Sequence, residues 1–323
     1  MAKLDVAFWN VENLFDHENA ARDPELKSEL ASELVGWTAA IRDTKIAQLV
    51  RVIELMFNGR GPALLGICEV ENEVLVQRLA NAVNITGRNY QAVAHASSDA
   101  RGIDTSFIID TNELAVLETD HQSVIKRSAT RDIFWAKLQV IASEAEFVAM
   151  VNHWPSRSGS QYGSEPFRML TGETHAYITS RMLDEKFGGD KNLPIISMGD
   201  YNDEPFNRSM QEYLLGSRDP GRVRYSRSGH MLNLMWPLMK GNDPGSYLFG
   251  STWNMLDQFL VSQGMVRGPS PVRVDQDSVE VFRPSMMVGS SGRPIRFSRP
   301  SASSGVNLAG VSDHFPILVQ LDV

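Results

Sequence analysis

The sequence contains a single cysteine, Cys68, among its 323 residues. One thiol excludes an internal disulfide framework and a cysteine-based zinc site, so a bound metal ion would need oxygen and histidine ligands. The low cysteine content is also compatible with a reducing compartment.

Long apolar segments are missing as well. The N-terminal stretch MAKLDVAFWNVENLF enters a strand-like run almost directly, and no later segment approaches the length that crosses a bilayer. We therefore expect no membrane association, and a cytoplasmic location unless a leader peptide has been removed.

Basic residues are outnumbered, with 31 Lys and Arg against 39 Asp and Glu and a formal net charge of −8. This balance disfavours strong sequence-independent binding to nucleic acid, which depends on neutralising phosphates, but does not exclude a nucleic-acid substrate. Arg127, Arg131, Arg157 and the arginines of residues 222–227 are candidates for a local basic patch, although each is more typical of a solvated surface.

Neither a linker nor a break in composition divides the chain, and 42% hydrophobic residues suffice for a large core. We expect one domain over residues 1–323, with loop insertions near 207–249 and 285–310. The first insertion should contain a helix near 209–215 followed by long loops, and the second is a candidate mobile loop ahead of the last strand.

The apolar residues occur mostly in short runs such as LDVAFW, ALLGIC, DIFWAKLQV and FPILVQLDV, which are typical of strands. Helical spacing is found within residues 40–57, and Leu75 and Leu79 indicate a second helix after Glu71. Strands and helices together predict an α+β fold in which sheets pack face to face with helices outside.

One strand-like run ends in the sequence ISMGDYNDEP. Gly199 permits a tight bend, and Asp200 and Asn202 lie two positions apart, on one side of the chain if it stays extended. A polar turn after a buried strand would explain these residues equally well.

Similar polar residues flank the other strand-like runs. They are Asn10, Glu12, Glu69, His153, Asp200, Asn202, Asp313 and His314. Asp257 lies inside the apolar run MLDQFLVS, where a carboxylate needs a partner. Polar residues at so many similar positions indicate that they lie together along one edge, at the ends of the strands.

Six blocks containing these residues, in order, resemble the signature blocks of the endonuclease/exonuclease/phosphatase superfamily. They are FWNVENLFD, GICEVEN, VNHWPSR, MGDYNDEP, NMLDQFLVS and VSDHFPI. The bacterial nuclease-like members are the most similar. The resemblance implies the deoxyribonuclease I-like fold, a four-layered α/β/β/α sandwich of two mixed, mainly antiparallel sheets flanked by helices, with the site at one end.

The resemblance also implies roles for individual residues. Glu69 matches the principal metal ligand, Asn10 the amide beside it and Asp313 a further carboxylate, and the metal ion would be Mg²⁺ or Mn²⁺. Asp200 matches the aspartate that orients or deprotonates the attacking water, and Asn202 the amide that holds phosphate or metal-bound water.

His314 matches the histidine that contacts the scissile phosphate, Asp257 the acid that orients a site histidine, and His153 a histidine near the phosphate or leaving group. Arg157 and Arg131 are expected to contact substrate phosphate, and Arg101 and Asp104 belong to a block near the site. The acids beside these positions are expected to be hydrogen-bonded turn or surface residues; they are Glu12, Glu71, Asp203 and Glu204. The remaining histidines are expected to be scattered polar residues; they are His17, His95, His121, His175 and His230.

These observations predict a metal-dependent phosphodiesterase that hydrolyses nucleic acid, DNA rather than RNA, with no membrane and no obligate protein partner. Hydrolysis of a smaller phosphoester, such as a nucleotide, an inositol phosphate or a phospholipid headgroup, is the alternative, and the acidic composition favours it. A non-catalytic binding module fits less well, because every matched site position carries the expected residue type. The sequence favours DNA over RNA without deciding between them, and strand preference, endo- or exonucleolytic cleavage, the number of metal ions and the oligomeric state stay open.

Overall fold

The strand-like runs form two large β-sheets in the computed structural model, which describes residues 2–97, 99, 102–157, 159–241, 243–267 and 270–323. Arg101 lies outside the described residues. The strands of the first sheet are, in spatial order, β14 (Arg273–Val281), β15 (Ile317–Asp322), β1 (Lys3–Leu14), β2 (Leu64–Val70), β4 (Asp104–Asp110) and β3 (Tyr90–Ala94).

The strands of the second sheet are, in spatial order, β5 (Leu114–Gln122), β6 (Ile133–Val140), β7 (Glu146–His153), β8 (Ile195–Asp200), β13 (Asp257–Val261), β10 (Met231–Asn233) and β9 (Gly216–Ser217). A separate hairpin is formed by β11 (Tyr247–Phe249) and β12 (Thr252–Asn254). The pairs β1/β2, β7/β8 and β9/β10 are parallel, and the others are antiparallel. The sheets are therefore mixed and mainly antiparallel, as expected.

The α-helices are α1 (Pro24–Leu30), α2 (Ala39–Ile53), α3 (Met56–Gly59), α4 (Glu73–Ala82), α5 (Gln161–Arg181), α6 (Pro220–Arg224) and α7 (Gln263–Val266). Short π-helical segments are Met182–Lys186 and Ser209–Tyr213, and short 3₁₀ segments are Trp236–Leu238 and Ser285–Met287. Among the described residues, no helix combines the length and apolar character that a membrane crossing requires.

Side-chain hydrogen bonds fix where the main helices begin. Thr38 accepts from the N–H of Ile41 at the start of α2, and Asn72 accepts from the N–H of Leu75 at the start of α4. The helix expected over residues 40–57 ends earlier, at Ile53, because Phe57 adopts a left-handed backbone conformation while its side chain stays in the core.

The alternation of side chains along the strands produces four layers. In β1, Val6 and Phe8 point into the core between the two sheets, whereas Ala7 and Trp9 pack in a second core with α2 and α4. A third core lies on the outer face of the second sheet, where Ile178 of α5 packs. This arrangement confirms the predicted α/β/β/α sandwich of the deoxyribonuclease I-like fold.

The two sheets approach closely at Gly66. A Cβ atom at this position would lie 2.5 Å from Sδ of Met198 on the facing sheet. Glycine at this point of β2 therefore lets the sheets come close enough for their strand ends to contribute to one site.

The two expected insertions are more ordered than the sequence indicates. Residues 207–249 contribute β9 and β10 to the second sheet, and the helix expected near 209–215 is the π-helical segment Ser209–Tyr213. Within residues 285–310, Phe297 is fully buried and packs against Trp37. Outside these short elements both segments run as loops, and their packing depends on partners distant in sequence.

The basic stretch at residues 222–227 lies away from the strand ends that carry Asp200 and Asp257. It begins on α6, which packs against α7, and α7 follows the end of β13 opposite Asp257. These arginines therefore do not form a basic patch at the predicted site.

Candidate active site

Two irregularities in the first sheet redirect polar side chains at its edge. The pairing of β1 with β2 shifts register between Asn10 and Leu14, and the pairing of β2 with β4 shifts between Cys68 and Val70. Glu69 lies in the second irregularity and has a φ of 65°, in the left-handed region that non-glycine residues rarely adopt. Its Oε2 accepts from the N–H of Asn13 at 3.0 Å. Such bulges re-aim side chains, and here Asn10 and Glu69 come together.

The second sheet places three site residues side by side. His153 ends β7 and is paired with Asp200 at the end of β8, and Asp200 is paired with Asp257 at the start of β13. The bend expected at Gly199 is absent, because β8 continues through it to Asp200. Gly199 is required for another reason: a Cβ there would lie 2.5 Å from the main-chain oxygen of Asn152.

Residues from both sheets meet at these strand ends. The amide Nδ2 of Asn10 donates to Glu69 Oε1 at 3.2 Å and to Asp200 Oδ2 at 3.1 Å. His153 Nε2 lies 3.7 Å from Glu69 Oε1 and 3.9 Å from Asp200 Oδ2. Side chains separated by up to 190 positions in the sequence therefore form one polar cluster.

His314 joins this cluster between two aspartates. Its Nδ1 lies 2.7 Å from Asp257 Oδ2, and its Nε2 lies 3.9 Å from Asp200 Oδ2. The indole N–H of Trp9 donates to the main-chain oxygen of His314, and the ring of Tyr247 stacks on the imidazole with centroids 4.5 Å apart. The structure thus gives the buried Asp257 the histidine partner that its sequence context requires.

Burial and crowding change the charges of these groups. Burial raises the pKa of Asp200 to about 6, with a further rise from Asp257 and an opposing effect of His314. Burial, together with Glu12, raises the pKa of Asp313 to about 7, although His314 and Arg296 oppose it. Burial alone would lower the pKa of His314, but Asp257, Asp200 and Asp313 outweigh it and raise this pKa well above its ordinary value.

The carboxylates suit a hard divalent cation. Glu69 and Asp313 each have 18% of the side chain exposed, and Arg296 contacts Asp313 Oδ2 at 3.2 Å and Glu12 Oε1 at 2.9 Å. One oxygen or nitrogen atom each of Asp200, Asp257 and His314 also lies within 4.8 Å of the other two. Crowded acidic oxygens raise one another's pKa unless a cation intervenes, so this donor set fits a divalent metal ion.

Asn10 is oriented differently from the metal ligand that the sequence predicts. Its amide N–H groups face Glu69 and Asp200, while its Oδ1 accepts from the N–H of Glu12 at 3.0 Å. In this arrangement Asn10 bridges two carboxylates as a hydrogen-bond donor, and its Oδ1 keeps one lone pair beyond the bond from Glu12.

Asn202 and Arg157 organise the loop after β8. Asn202 has a φ of 51°, its N–H donates to Asp200 Oδ1 at 2.9 Å, and its Nδ2 donates to the main-chain oxygen of Trp154 at 3.0 Å. The Nε of Arg157 donates to the main-chain oxygen of Asn202 at 2.8 Å, and its other nitrogens contact Asn254 and Asn207. Arg157 therefore holds this loop through contacts with protein atoms.

Arg131 has a comparable place under β7. Its side chain is 3% exposed and donates to the main-chain oxygens of His153 at 3.1 Å and Trp154 at 3.0 Å, and it forms an ion pair with Asp99. Both guanidinium groups contact the main chain around His153 and Asn202, and the phosphate contact expected of Arg157 and Arg131 stays a prediction.

The neighbouring acids are hydrogen-bonded, as expected, but they are buried rather than on the surface. Glu71 is paired with Arg22, Asp203 with Arg168, and Glu204 accepts from the N–H of Met255. Asp104, expected near the site, is 8% exposed and accepts from the N–H of Ser97.

Sequence reasoning also missed Tyr247 and Arg296. Tyr247 lies in the hairpin and Arg296 in the second insertion, where no periodicity or motif marks them.

Comparison with solved structures supports the architecture. The catalytic domain of human Nocturnin is 15% identical and has a TM-score of 0.53, with 99% of this chain and 94% of that chain covered. A mannosyl-6-phosphatase from Bacteroides thetaiotaomicron is 16% identical with a TM-score of 0.56, covering 99% and 100% of the two chains. TDP2 from D. rerio, complexed with a single-strand DNA product, is 13% identical with a TM-score of 0.55, covering all of both chains.

No match was found among curated proteins. The sequence profile of the endonuclease/exonuclease/phosphatase family matches residues 5–323. Those residues include every strand end that contributes to the polar cluster. With its blocks, its four layers and its profile in agreement, the chain belongs to the endonuclease/exonuclease/phosphatase family of phosphoester hydrolases.

Proposed function

We propose that the protein is a Mg²⁺- or Mn²⁺-dependent phosphodiesterase that hydrolyses nucleic acid, with DNA as the preferred polymer. The observation that carries the proposal is the convergence of Asn10, Glu69, His153, Asp200 and the pair of His314 with Asp257 at one end of the sandwich. The proposal treats residues 1–323 as one domain, because side chains from near both ends of the chain are needed for this single site.

Asp200 is the proposed general base for the attacking water. Its Oδ1 is fixed by the N–H of Asn202, whereas its Oδ2 faces Asn10, His153 and His314. A carboxylate with a raised pKa near 6 is a stronger base near neutral pH than an ordinary aspartate. The water proton would pass to Oδ2 as the water oxygen attacks phosphorus.

His314 is the proposed electrostatic partner of the phosphate. Asp257 accepts from its Nδ1, so Nε2 is directed toward Asp200 and the space where charge would develop. An imidazolium held in this way stabilises the negative oxygens of the transition state without reorganisation. His153, on the other side of Asp200, would contact the leaving oxygen as its bond to phosphorus breaks, or a phosphate oxygen.

Glu69 and Asp313 are the residues proposed to hold the metal ion, and Arg296 balances part of the negative charge of Asp313 and Glu12. When bound, the ion supplies charge neutralisation of an anionic phosphodiester and its developing oxyanion. In this proposal Asn10 spaces the carboxylates of Glu69 and Asp200, and Asn202 keeps the base in place.

Arg157 and Arg131 act as positioning residues in the proposed mechanism. Both guanidinium groups contact main-chain oxygens beside the site residues. Their substitution should reduce kcat through misplacement of His153 and Asn202.

Two features favour a polymeric substrate. Phe206, four residues after Asn202, is 53% exposed, and Phe249, two residues after Tyr247, is 71% exposed. Exposed aromatic side chains beside a phosphodiesterase site are suited to stacking with bases of single-stranded nucleic acid. The neighbour TDP2 was solved with a single-strand DNA product.

A small phosphoester is the second candidate, and one surface feature favours it. A pocket of about 550 Å³ has a wall of carboxylates that includes Glu71, two residues after Glu69, and Asp99, the partner of Arg131. Negative charge at this place, with the net charge of −8, disfavours a long polyanion. The neighbour from Bacteroides thetaiotaomicron is named a mannosyl-6-phosphatase.

The test uses plasmid DNA, labelled single-stranded DNA and RNA oligonucleotides, a sugar phosphate and bis-p-nitrophenyl phosphate, each with Mg²⁺, Mn²⁺ or EDTA. Asp200→Ala is the site variant, and Asp277→Ala, at an exposed position of β14, is the matched control. We expect metal-dependent DNA cleavage that is lost in Asp200→Ala and kept in Asp277→Ala.

Cleavage of the sugar phosphate alone would favour the second candidate function, hydrolysis of a small phosphoester, over the first. If no substrate is cleaved with any metal ion, the chemistry proposed for Asp200 is refuted, and a binding module becomes the remaining interpretation.

A further inference from the structure

Three metal-ligating side chains meet at an edge of the sandwich, where β6 and β7 lie between His121 of β5 and Asp200 of β8. His95 directly follows β3, the last strand of the first sheet, and His121 belongs to β5, the last strand of the second sheet. Asp132 directly precedes β6 and lies near His121, because β5 and β6 pair with His121 opposite Phe134. The group therefore bridges the edges of both sheets.

The distances within this group are close to those of a coordination site. His95 Nε2 lies 2.9 Å from Asp132 Oδ2, and His121 Nε2 lies 3.9 Å from the same oxygen. One ligand atom from each residue lies within 4.8 Å of the other two. Ligand atoms around a tetrahedral zinc ion are about 3.4 Å apart, given metal–ligand bonds of about 2.1 Å. Small side-chain rotations would bring all three into this range.

The imidazoles lie against each other before any ion binds. The rings of His95 and His121 are stacked, with centroids 3.9 Å apart and planes inclined by 19°. The ring of Phe134 also stacks on the ring of His95, with centroids 5.7 Å apart. The two imidazoles and the carboxylate supply an N₂O donor set around Asp132 Oδ2, and one ring must turn out of the stack for both Nε2 atoms to face one ion.

The group is also accessible. Asp132 has 7% of its side chain exposed, whereas His121 has 39% exposed. A buried carboxylate and an open imidazole leave a path for an ion and room for a water molecule as the fourth ligand.

We propose that His95, His121 and Asp132 form a Zn²⁺ site that shares no residue with the group around Glu69 and Asp313 and that links the two sheet edges. Two nitrogen donors and one oxygen suit Zn²⁺, whereas the oxygen-rich group around Glu69 suits Mg²⁺ or Mn²⁺. The ion would cross-link β3 and β5 through His95 and His121, and it would therefore stabilise the folded protein. This inference goes beyond the proposed function and does not depend on it.

The test compares variants of tag-free, chelator-treated protein by calorimetric titration with Zn²⁺ and by thermal unfolding. His121→Asn and Asp132→Asn remove single ligands, His230→Asn is the matched histidine control, and Glu69→Gln disables the proposed active-site metal position. Cobalt(II) binding, followed by its visible absorption, reports four-coordinate geometry independently of stability.

We expect one equivalent of Zn²⁺ to bind the wild-type protein and to raise its Tm. Each ligand variant should bind Zn²⁺ at least about 100-fold more weakly and lose the Tm shift. His230→Asn and Glu69→Gln should keep both, and the cobalt absorption should disappear only in the ligand variants.

Two results would overturn the proposal. One is an unchanged Tm and no stoichiometric Zn²⁺ binding in the wild-type protein, which would mean that His95 and Asp132 form a hydrogen bond and not a metal site. The other is loss of binding in Glu69→Gln with retention in His121→Asn, which would assign the bound Zn²⁺ to the active site. If one ligand variant fails to fold, the other variant and the cobalt titration decide between these outcomes.

Discussion

Replacing His175 should make the stability of the protein less sensitive to acid. His175 lies in α5, is fully buried, and its Nε2 lies 2.7 Å from the hydroxyl of Ser197 in β8. Ser197 also accepts from Asn152, the neighbour of His153, so this network lies directly beneath the strands that carry the site. Burial lowers the pKa of His175 to about 3.

The sign and size of the effect follow from proton linkage. The folded state keeps His175 neutral down to about pH 3, whereas in the unfolded chain His175 takes up a proton below its ordinary pKa of 6.5. The stabilising contribution is therefore complete above pH 6.5 and is lost as the pH falls. At pH 5, about 1.5 units below the unfolded pKa, the loss is about 2 kcal/mol.

Urea unfolding of the wild-type protein, His175→Gln and His175→Asn at pH 7, 6 and 5 measures this contribution. The contributions of the other titrating groups cancel when the pH dependence of the wild-type protein is compared with that of a variant. The two variants should show the same pH dependence although their side chains pack differently. We expect the wild-type protein to lose about 2 kcal/mol more than either variant between pH 7 and pH 5. Equal losses in all three proteins would show that His175 binds a proton in the folded state, and the argument from burial would be wrong.

Three further substitutions test the site and its support. Asp257→Asn should lower kcat by about 10²–10⁴-fold in a bis-p-nitrophenyl phosphate assay, because it removes the carboxylate that holds His314, while the Tm shift with Mg²⁺ stays unchanged. A kcat within threefold of the wild-type value, allowing about 0.7 kcal/mol, would contradict this role. Asp203→Asn leaves the guanidinium of Arg168 without its charge partner and should reduce the free energy of unfolding by ~3–5 kcal/mol in urea; a loss below about 1 kcal/mol would refute it. Gly199→Ala puts a Cβ 2.5 Å from the main-chain oxygen of Asn152 and should cost ~1–3 kcal/mol, so an unchanged urea midpoint would speak against the close approach.

The layered fold was predictable because apolar runs, helical spacing and the six blocks all depend on local sequence. The site was predictable in outline for the same reason, since His153, Asp200 and Asp257 each lie at the end of an apolar run. Their roles in catalysis stay predictions.

Contacts between distant residues were not predictable. The partners of Arg157 come from two other segments, and the stacking of His95 on His121 depends on which strands form the sheet edges. The glycine in β8 was misjudged for a related reason: its role is set by the neighbouring strand and not by a turn. Strand order and register determine such contacts, and local periodicity does not encode them.

The pairing of β1 with β15 has a consequence for when the protein becomes functional during its synthesis. The register runs from Lys3 opposite Asp322 to Phe8 opposite Ile317, so β1 cannot pair with β15 until the ribosome has made most of the chain. His314, just before β15, reaches Asp257 only at that time. We therefore expect nascent and C-terminally truncated chains to lack the completed site, which would confine any hydrolysis to finished molecules.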